Sequence, residues 1–360
     1  MTARIESLGA FPWNIELTTP FSIATGAQAL AANVYVKLRL INGTVGLGEA
    51  APFPAVNGET QEATLVALGT LMPLAIERPI TEWRTIAQEA AELCGPAKSA
   101  LCAFESALLD AFCKHTRTSL WAWAGGSERC LYTDITIPTG SPEAARQAAH
   151  QATLQGFTTL KIKVGAIHES PLQNDLERIR ATLQVAPTAD LILDGNAALS
   201  IDDAVEMIRQ LGPLRAQVRV FEQPTARDDL DGLRAVQERT QIPVAADESA
   251  GSVRDVERIA REQAAAIINV KIMKSGVLEA QRMITAAKRL GLGLMVGGMV
   301  ESDLAMGVSA CLAAGMGGFD WVDLDTPLFM KHAPTRGGVL RSGNRIEIDP
   351  SCIGHGVRLV

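Results

Sequence analysis

The sequence predicts an α/β protein, a barrel of parallel strands behind an N-terminal α+β cap, and three observations carry that prediction. From Asp134 onward the chain repeats one unit, a short β-branched strand, a turn and an amphipathic helix. Eight such strands can be placed, and eight parallel strands close into a barrel. The length of 360 residues then leaves room for a barrel of about 250 residues and a smaller unit beside it. The prediction is a modified TIM-type (β/α)7β barrel with the cap completed by the C-terminal tail.

The first segment alternates apolar and polar residues through 34–40, turns at Asn42-Gly43 and resumes at 45–50, which is the signature of a hairpin. Helical periodicity follows over about 60–76, 80–91 and 96–114. Residues 1–128 are therefore expected to form the cap. Two stretches within it, 19–26 and 51–58, read as loops able to cover a barrel mouth. The barrel is expected over 129–328, with strands near 134–137, 159–164, 191–194, 218–222, 243–247, 267–271, 292–297 and 321–325. Helices such as 141–155, 200–211 and 278–290 lie between them. No convincing eighth helix follows the last strand. Residues 329–360 form a Gly-rich tail with a strand-like Arg345-Ile-Glu-Ile348, expected to return to the cap.

Bulk composition narrows the function. A formal charge of -7 argues against nucleic acid or an anionic membrane surface as partner, since both require concentrated basic residues. Cys94, Cys102, Cys113, Cys130, Cys311 and Cys352 show no metal-type spacing and read as buried thiols. The N-terminus carries no apolar core of a signal peptide, and no stretch is apolar enough to span a bilayer. A cytoplasmic protein acting on a small molecule is expected.

The chemistry is concentrated where predicted strands end. Asp194, Glu222 and Asp247 close three consecutive strands and offer only oxygen, a donor set that suits Mg²⁺ better than zinc or copper. Side chains two apart on a strand point the same way, so Lys161 pairs with Lys163, Asn269 with Lys271, and Asp323 with Asp325. An ordinary lysine is a poor base at neutral pH, but a second ammonium and a divalent cation nearby lower its pKa. Lys271 comes from the wall opposite Lys163. Two lysines flanking a metal-held carboxylate point to removal of an α-proton, with Mg²⁺ stabilising the enediolate and configuration lost when both faces exchange.

Lys161-Ile-Lys163, Asp194-Gly-Asn196, Glu222-Gln-Pro224, Asp247-Glu-Ser249 and the run from Asn269 to Gly276 resemble the enolase superfamily in its muconate-lactonizing-enzyme subgroup. Enolase-type lysine bases with Mg²⁺ are a known pattern of pKa tuning. Within the subgroup, Asp323-Leu-Asp325 resembles the acidic pair of dipeptide epimerases of the Ala-Glu type, which holds the substrate's α-ammonium. The physics agrees, because adjacent carboxylates repel a dicarboxylate and attract a cationic N-terminus. The resemblance further implies that Thr136 and Gly298-Met299-Val300 line the substrate, that Asn196, Glu248, Asn269 and Lys274 support the metal ligands and lysines from behind, and that the protein is a homo-oligomer.

The resemblance thus implies a Mg²⁺-dependent isomerase that inverts the α-carbon of a dipeptide's C-terminal residue through Lys163 and Lys271, with Lys161 assisting. The stretch 21–26 contains no Arg or Lys to pair an acidic side chain, and Phe21 and Ile23 there favour an apolar or neutral residue at the inverted position. A cycloisomerase or o-succinylbenzoate synthase on the same scaffold needs the metal and lysines but not the acidic pair. Sugar-acid dehydratases want a His on the seventh strand, where this chain has none. A non-catalytic metal-binding barrel is the alternative of another class.

Overall fold

The computed structural model describes residues 3–24, 26–165 and 171–360. Thr25, within the first suspected loop, and His168 lie outside the described residues.

Strands β1 (Ile5–Ile23), β2 (Gly26–Leu40) and β3 (Val45–Ala50) form an antiparallel sheet, with the expected turn at Asn42-Gly43, where Gly43 has φ 84°. Val34, Val36, Leu38 and Leu40 alternate with polar residues and are fully buried, so the period of two places one face on the core. That face packs on the helix Lys98–His115 so closely that a Cβ at Gly46 or Gly48 would strike the helix backbone at Ala107 or Ala103. The stretch 19–26 is not a loop as expected. β1 and β2 stay paired out to Ile23 and Gly26 after a register shift between Glu16 and Phe21, because neighbouring β-formers extend the ribbon past the Pro20 turn signal. The stretch 51–58 contains a short helix, Pro54–Asn57. The remaining helices of the cap begin and end close to expectation, at Gln61–Leu71, Trp83–Leu93 and Lys98–His115.

After β4 (Cys130–Tyr132) comes the barrel. Its strands are β5 (Ile135–Ile137), β6 (Thr159–Lys163), β7 (Asp190–Asp194), β8 (Val218–Glu222), β9 (Val244–Ala246), β10 (Ile267–Val270), β11 (Gly293–Val296) and β12 (Trp321–Val322). They are hydrogen-bonded in chain order and run parallel. The ends meet where the Asp134 N–H donates to the Val322 carbonyl at 2.9 Å. A helix follows each of the first seven strands, whereas β12 leads only into a 3₁₀ turn, Thr326–Phe329. The fold is thus the expected (β/α)7β barrel. One correction concerns its last strand, which ends at Val322 rather than 325. Asp325 has the helical backbone (φ -95°, ψ -17°) that starts the turn before Pro327, so the period of two does not govern Asp323 and Asp325.

The tail supplies β13 (Thr335–Gly337), β14 (Val339–Ser342), β15 (Arg345–Ile348) and β16 (Val357–Leu359), with β15 pairing both β14 and β4. It reaches the cap through His355, whose Nε2 lies 3.1 Å from Asp110 and 3.2 Å from the Leu47 carbonyl.

Buried carboxylates fasten cap to barrel. Glu49 on β3 accepts hydrogen bonds from the Ser302 N–H and hydroxyl and from the Ala305 N–H, at the start of helix Asp303–Met316. Glu105 accepts the Val277 and Leu278 N–H groups at the start of helix Val277–Arg289. Each acid meets the positive end of a helix and satisfies donors that no intrahelical carbonyl can reach.

Candidate active site

The barrel interior is plugged by Ile192, Val220, Ala245, Ile267 and Met295, one inward side chain from each of five consecutive strands. Two residues further along, the inward positions are Asp194, Glu222, Asp247 and Asn269. The strands leave their apolar plug and reach the C-terminal rim at the same level, and this places the acids side by side. Register pairs Asp194 with Glu222 and, on the other side, with Lys163; Lys161 sits one layer deeper, opposite Ile192.

The turns beyond these strands are tight. Asn196, Ala197 and Gln223 have positive φ without being glycine, a costly conformation that clusters at functional sites. At Gly195 a Cβ would lie 2.8 Å from the Pro224 Cα, so only glycine allows the two loops to touch. Gln223 then orients the next acid, its Oε1 accepting the Asp247 N–H at 2.9 Å and the Ser249 N–H at 3.1 Å.

The lysines meet these acids directly. Lys161 Nζ lies 2.9 Å from Asp194, 2.8 Å from Glu222 and 2.7 Å from Asp323. Lys163 bonds Asp194 at 2.6 Å, Lys271 bonds Asp247 at 2.6 Å, and Lys274 bonds Asp247 at 2.5 Å. Lys163 and Lys271 therefore stand on different sides of Glu222, each tied to a different carboxylate. Asn269 steadies Glu222 from behind, its Nδ2 donating to Oε1 at 2.8 Å, and Asn196 bonds Asp194 through its N–H at 3.0 Å and reaches Glu248 at 3.5 Å.

Charge in this dry space is strongly perturbed. Burial works against the ammonium of Lys161, but Asp194, Asp323 and Glu222 outweigh it and hold the lysine well above its usual range; Asp247 does the same for Lys271, so the protein's own carboxylates shift both lysines opposite to the lowering expected from a second ammonium and a divalent cation. Asp194 and Asp247, which burial alone would raise, are held low by Lys161 and Lys163 and by Lys271 and Lys274 respectively. Burial and the adjacent Asp194 push Glu222 up to about 7, and burial with Asp247 pushes Glu248 up to about 8. Acids outnumber lysines here, and the cluster is short of positive charge.

That shortage, and a donor set of carboxylate and amide oxygens without His or Cys, fits a hard divalent cation. Buried oxygens on Asn196, Glu248 and Asn269 have no hydrogen-bond partner, which is the expected state of groups built to face a hydrated ion or a ligand.

Above the cluster lies a small chamber of about 30 Å³. Lys163, Lys271, Asp323 and Asp325 line it from the barrel, Met299 from the loop after β11, and Phe21, Ile23, Phe53 and Val56 close it from the cap. Thr136, Gly298 and Val300 also line it. A wider cavity of about 530 Å³ adjoins it at Val56, Asn196 and Met299, with Glu248 and Lys274 among its walls. Both suspected cap segments thus cover the barrel mouth, the first as a strand ribbon.

Several residues at this site were not singled out from the sequence. Phe53 and Val56 lay in a suspected loop but carried no motif. Gln223 stood inside a quoted motif without a role. Glu301 and Asp134 were missed, since an acid in a polar stretch beside a strand or helix end reads as solvated until the fold buries it. Glu301 accepts the Met299 N–H at 2.7 Å and sets the loop that walls the chamber.

Fold and site together define a capped α/β barrel with a carboxylate–lysine centre at its C-terminal rim. Residues 9–125 match the family model "Mandelate racemase / muconate lactonizing enzyme, N-terminal domain", and residues 143–360 match "Enolase C-terminal domain-like". The chain belongs to this mandelate racemase and muconate lactonizing enzyme family of the enolase superfamily. It is 44% identical to an aromatic dipeptide epimerase of Herpetosiphon aurantiacus, over 100% of both chains. It is 33% identical to an L-Ala-D/L-Glu epimerase of Thermotoga maritima, over 92% of this chain and 95% of the relative. A crystal structure of a dipeptide epimerase from Enterococcus faecalis, complexed with Mg and the dipeptide L-Leu-L-Tyr, superposes with a TM-score of 0.93 at 28% identity, covering 98% of this chain and 99% of that one.

Proposed function

We propose that the protein is a Mg²⁺-dependent dipeptide epimerase that inverts the α-carbon of the C-terminal residue, with a preference for apolar or neutral side chains there. The observation that carries this reading is one chamber flanked by Lys163 and Lys271 and walled by the Asp323–Asp325 pair. Names and ligands of the relatives support it.

Asp194, Glu222 and Asp247 would hold the ion, and when bound there Mg²⁺ supplies Lewis-acid polarisation of the substrate carboxylate. The remaining steps belong to the chain. Asp323 and Asp325 hold the α-ammonium and fix which carbon lies between the lysines. Lys163 takes the α-proton on one face while Lys271 delivers one on the other, and the roles exchange for the reverse direction. Lys161, with its ammonium held charged, steadies negative charge developing on the carboxylate. Phe21, Ile23, Phe53 and Val56 exclude water and give an apolar side chain its wall, while no cation among them would pair an acidic one.

The test is a dipeptide library incubated with the protein and Mg²⁺ in D₂O and followed by mass spectrometry. Gain of one mass unit with loss of configuration at the C-terminal residue is expected for Ala-Phe and Ala-Leu. No gain on any dipeptide removes the assignment, and equal turnover of Ala-Glu and Ala-Leu removes the side-chain preference.

A further inference from the structure

Asp134 immediately precedes the first barrel strand, two residues before Thr136, so both side chains face the barrel interior. It is 1% exposed, and neither carboxylate oxygen has a hydrogen-bond partner. Asp325 is also fully buried, and its Oδ1 is likewise unpartnered, its Oδ2 being occupied by the Thr136 N–H. Oxygens of Asp134, Asp323 and Asp325 lie within 4.8 Å of one another. Lys161, the ammonium whose charge acts on Asp134, is already engaged with Asp194, Glu222 and Asp323. An uncompensated carboxylate in such a place is strongly unfavourable, so Asp134 is relieved either by binding a proton or by receiving a further positive group.

We propose that Asp134 supplies the third acceptor of a receptor for a primary ammonium, and that the protein consequently selects substrates with an unsubstituted N-terminal amine. The inference rests on the dipeptide reading above, in which Asp323 and Asp325 alone meet the amine. Three oxygens so spaced have a common point no more than about 2.8 Å from each, which is the length of a charge-assisted hydrogen bond. A primary ammonium carries three donors and saturates the three acceptors. A secondary ammonium, as in an N-methyl residue or an N-terminal proline, carries two and leaves one buried carboxylate unpaired. Burial and the neighbouring Asp323 and Asp325 raise the Asp134 carboxyl well above its ordinary range, and a bound ammonium would act in the opposite direction.

A receptor of two carboxylates and a receptor of three differ on the first methyl group. With the Mg²⁺-loaded wild-type protein, α-deuterium exchange is compared for Ala-Phe, N-methyl-Ala-Phe and Pro-Phe. The three-acceptor site predicts that kcat/KM falls at least about tenfold with the first methyl and similarly for Pro-Phe, because a site built around a hydrogen bond rejects the ligand lacking it. Asp134→Ala removes the third acceptor, and Asp134→Leu replaces it with an apolar group of similar volume. Both should weaken Ala-Phe while narrowing the methyl penalty to within about threefold. Wild-type tolerance of N-methylation within about twofold, or a penalty that persists undiminished in Asp134→Ala and Asp134→Leu, overturns the proposal and leaves the dipeptide reading standing. Absence of exchange with every free-amine dipeptide overturns both.

Discussion

The Asp325 carboxylate accepts the main-chain N–H of Thr136 at 2.6 Å, joining the loop after the last barrel strand to the first strand, while the same residue lines the chamber. One side chain therefore serves the barrel seam and walls the chamber. Burial and the neighbouring Asp323 push its carboxyl up to about 6.

The two duties separate by substitution. Asp325→Asn retains an oxygen for the Thr136 N–H and loses the charge, so stability should stay near wild type while dipeptide exchange falls by at least about tenfold. Asp325→Ala leaves a buried N–H without a partner and should also cost about 1–3 kcal/mol of stability. Denaturant unfolding read beside α-deuterium exchange checks both. A stable Ala variant would mean that the seam does not depend on this carboxylate.

The two lysines should fail differently. Lys163 and Lys271 are tied to Asp194 and Asp247, on strands either side of Glu222. Loss of either should abolish interconversion of epimers, while in the proposed reaction the remaining lysine would still serve one side of the α-carbon. Lys163→Ala and Lys271→Ala are each expected to exchange the α-hydrogen of one epimer only, and opposite epimers from one another. Incubating each pure epimer in D₂O reads this directly. If both variants retain exchange on the same epimer, the lysines do not divide the two faces.

Much of this was legible in the sequence. The strand–turn–helix repeat pointed to the barrel, and the placement of charge at strand ends named Lys161, Lys163, Lys271, Asp194, Glu222 and Asp247, which the structure gathers at one rim, because a charge that closes an apolar strand has only the rim to go to. What the sequence hid was long-range. Phe53 and Val56 reach the chamber only because β1 to β3 carry the cap over the barrel. Residues 19–23 read as a loop because Pro20 suggests a turn, whereas pairing with β2 overrides that local signal. Asp134 carried no motif, and its meaning depends on Asp323 and Asp325 arriving from the far end of the barrel.

Of the two buried carboxylates that fasten cap to barrel, Glu49 is the more connected. Its carboxylate receives the Ser302 hydroxyl and N–H, the Ala305 N–H and the Asn33 amide, and Asn33 in turn donates to the Val300 carbonyl at 2.9 Å beside the chamber. Glu49→Ala strands several buried donors and should cost about 3 kcal/mol or more. Since Val300 lines the chamber, KM for a dipeptide should rise more than kcat falls. Thermal unfolding with steady-state kinetics tests this, and unchanged KM would show that the fastening does not reach the substrate loop.

Glu105 offers a pH test away from the chemistry. Burial pushes its carboxyl up to about 7, despite the Leu278 and Val277 N–H groups it accepts. A carboxyl raised on folding works opposite to the usual salt-bridged acid: its contribution is fully present below the unfolded pKa of about 4.3 and is lost as pH rises through the folded value. Within that window the folded state binds more protons than the unfolded state, so stability declines with pH. Glu105→Gln keeps an oxygen for both N–H groups and cannot ionise. Its stability relative to wild type should therefore increase by up to about 3 kcal/mol between roughly pH 4.5 and 7.5, since one proton bound only by the folded state changes stability by about 1.4 kcal/mol for each pH unit crossed. Urea unfolding of both proteins across that range measures the difference, and a difference independent of pH would mean that Glu105 stays ionised at the helix start.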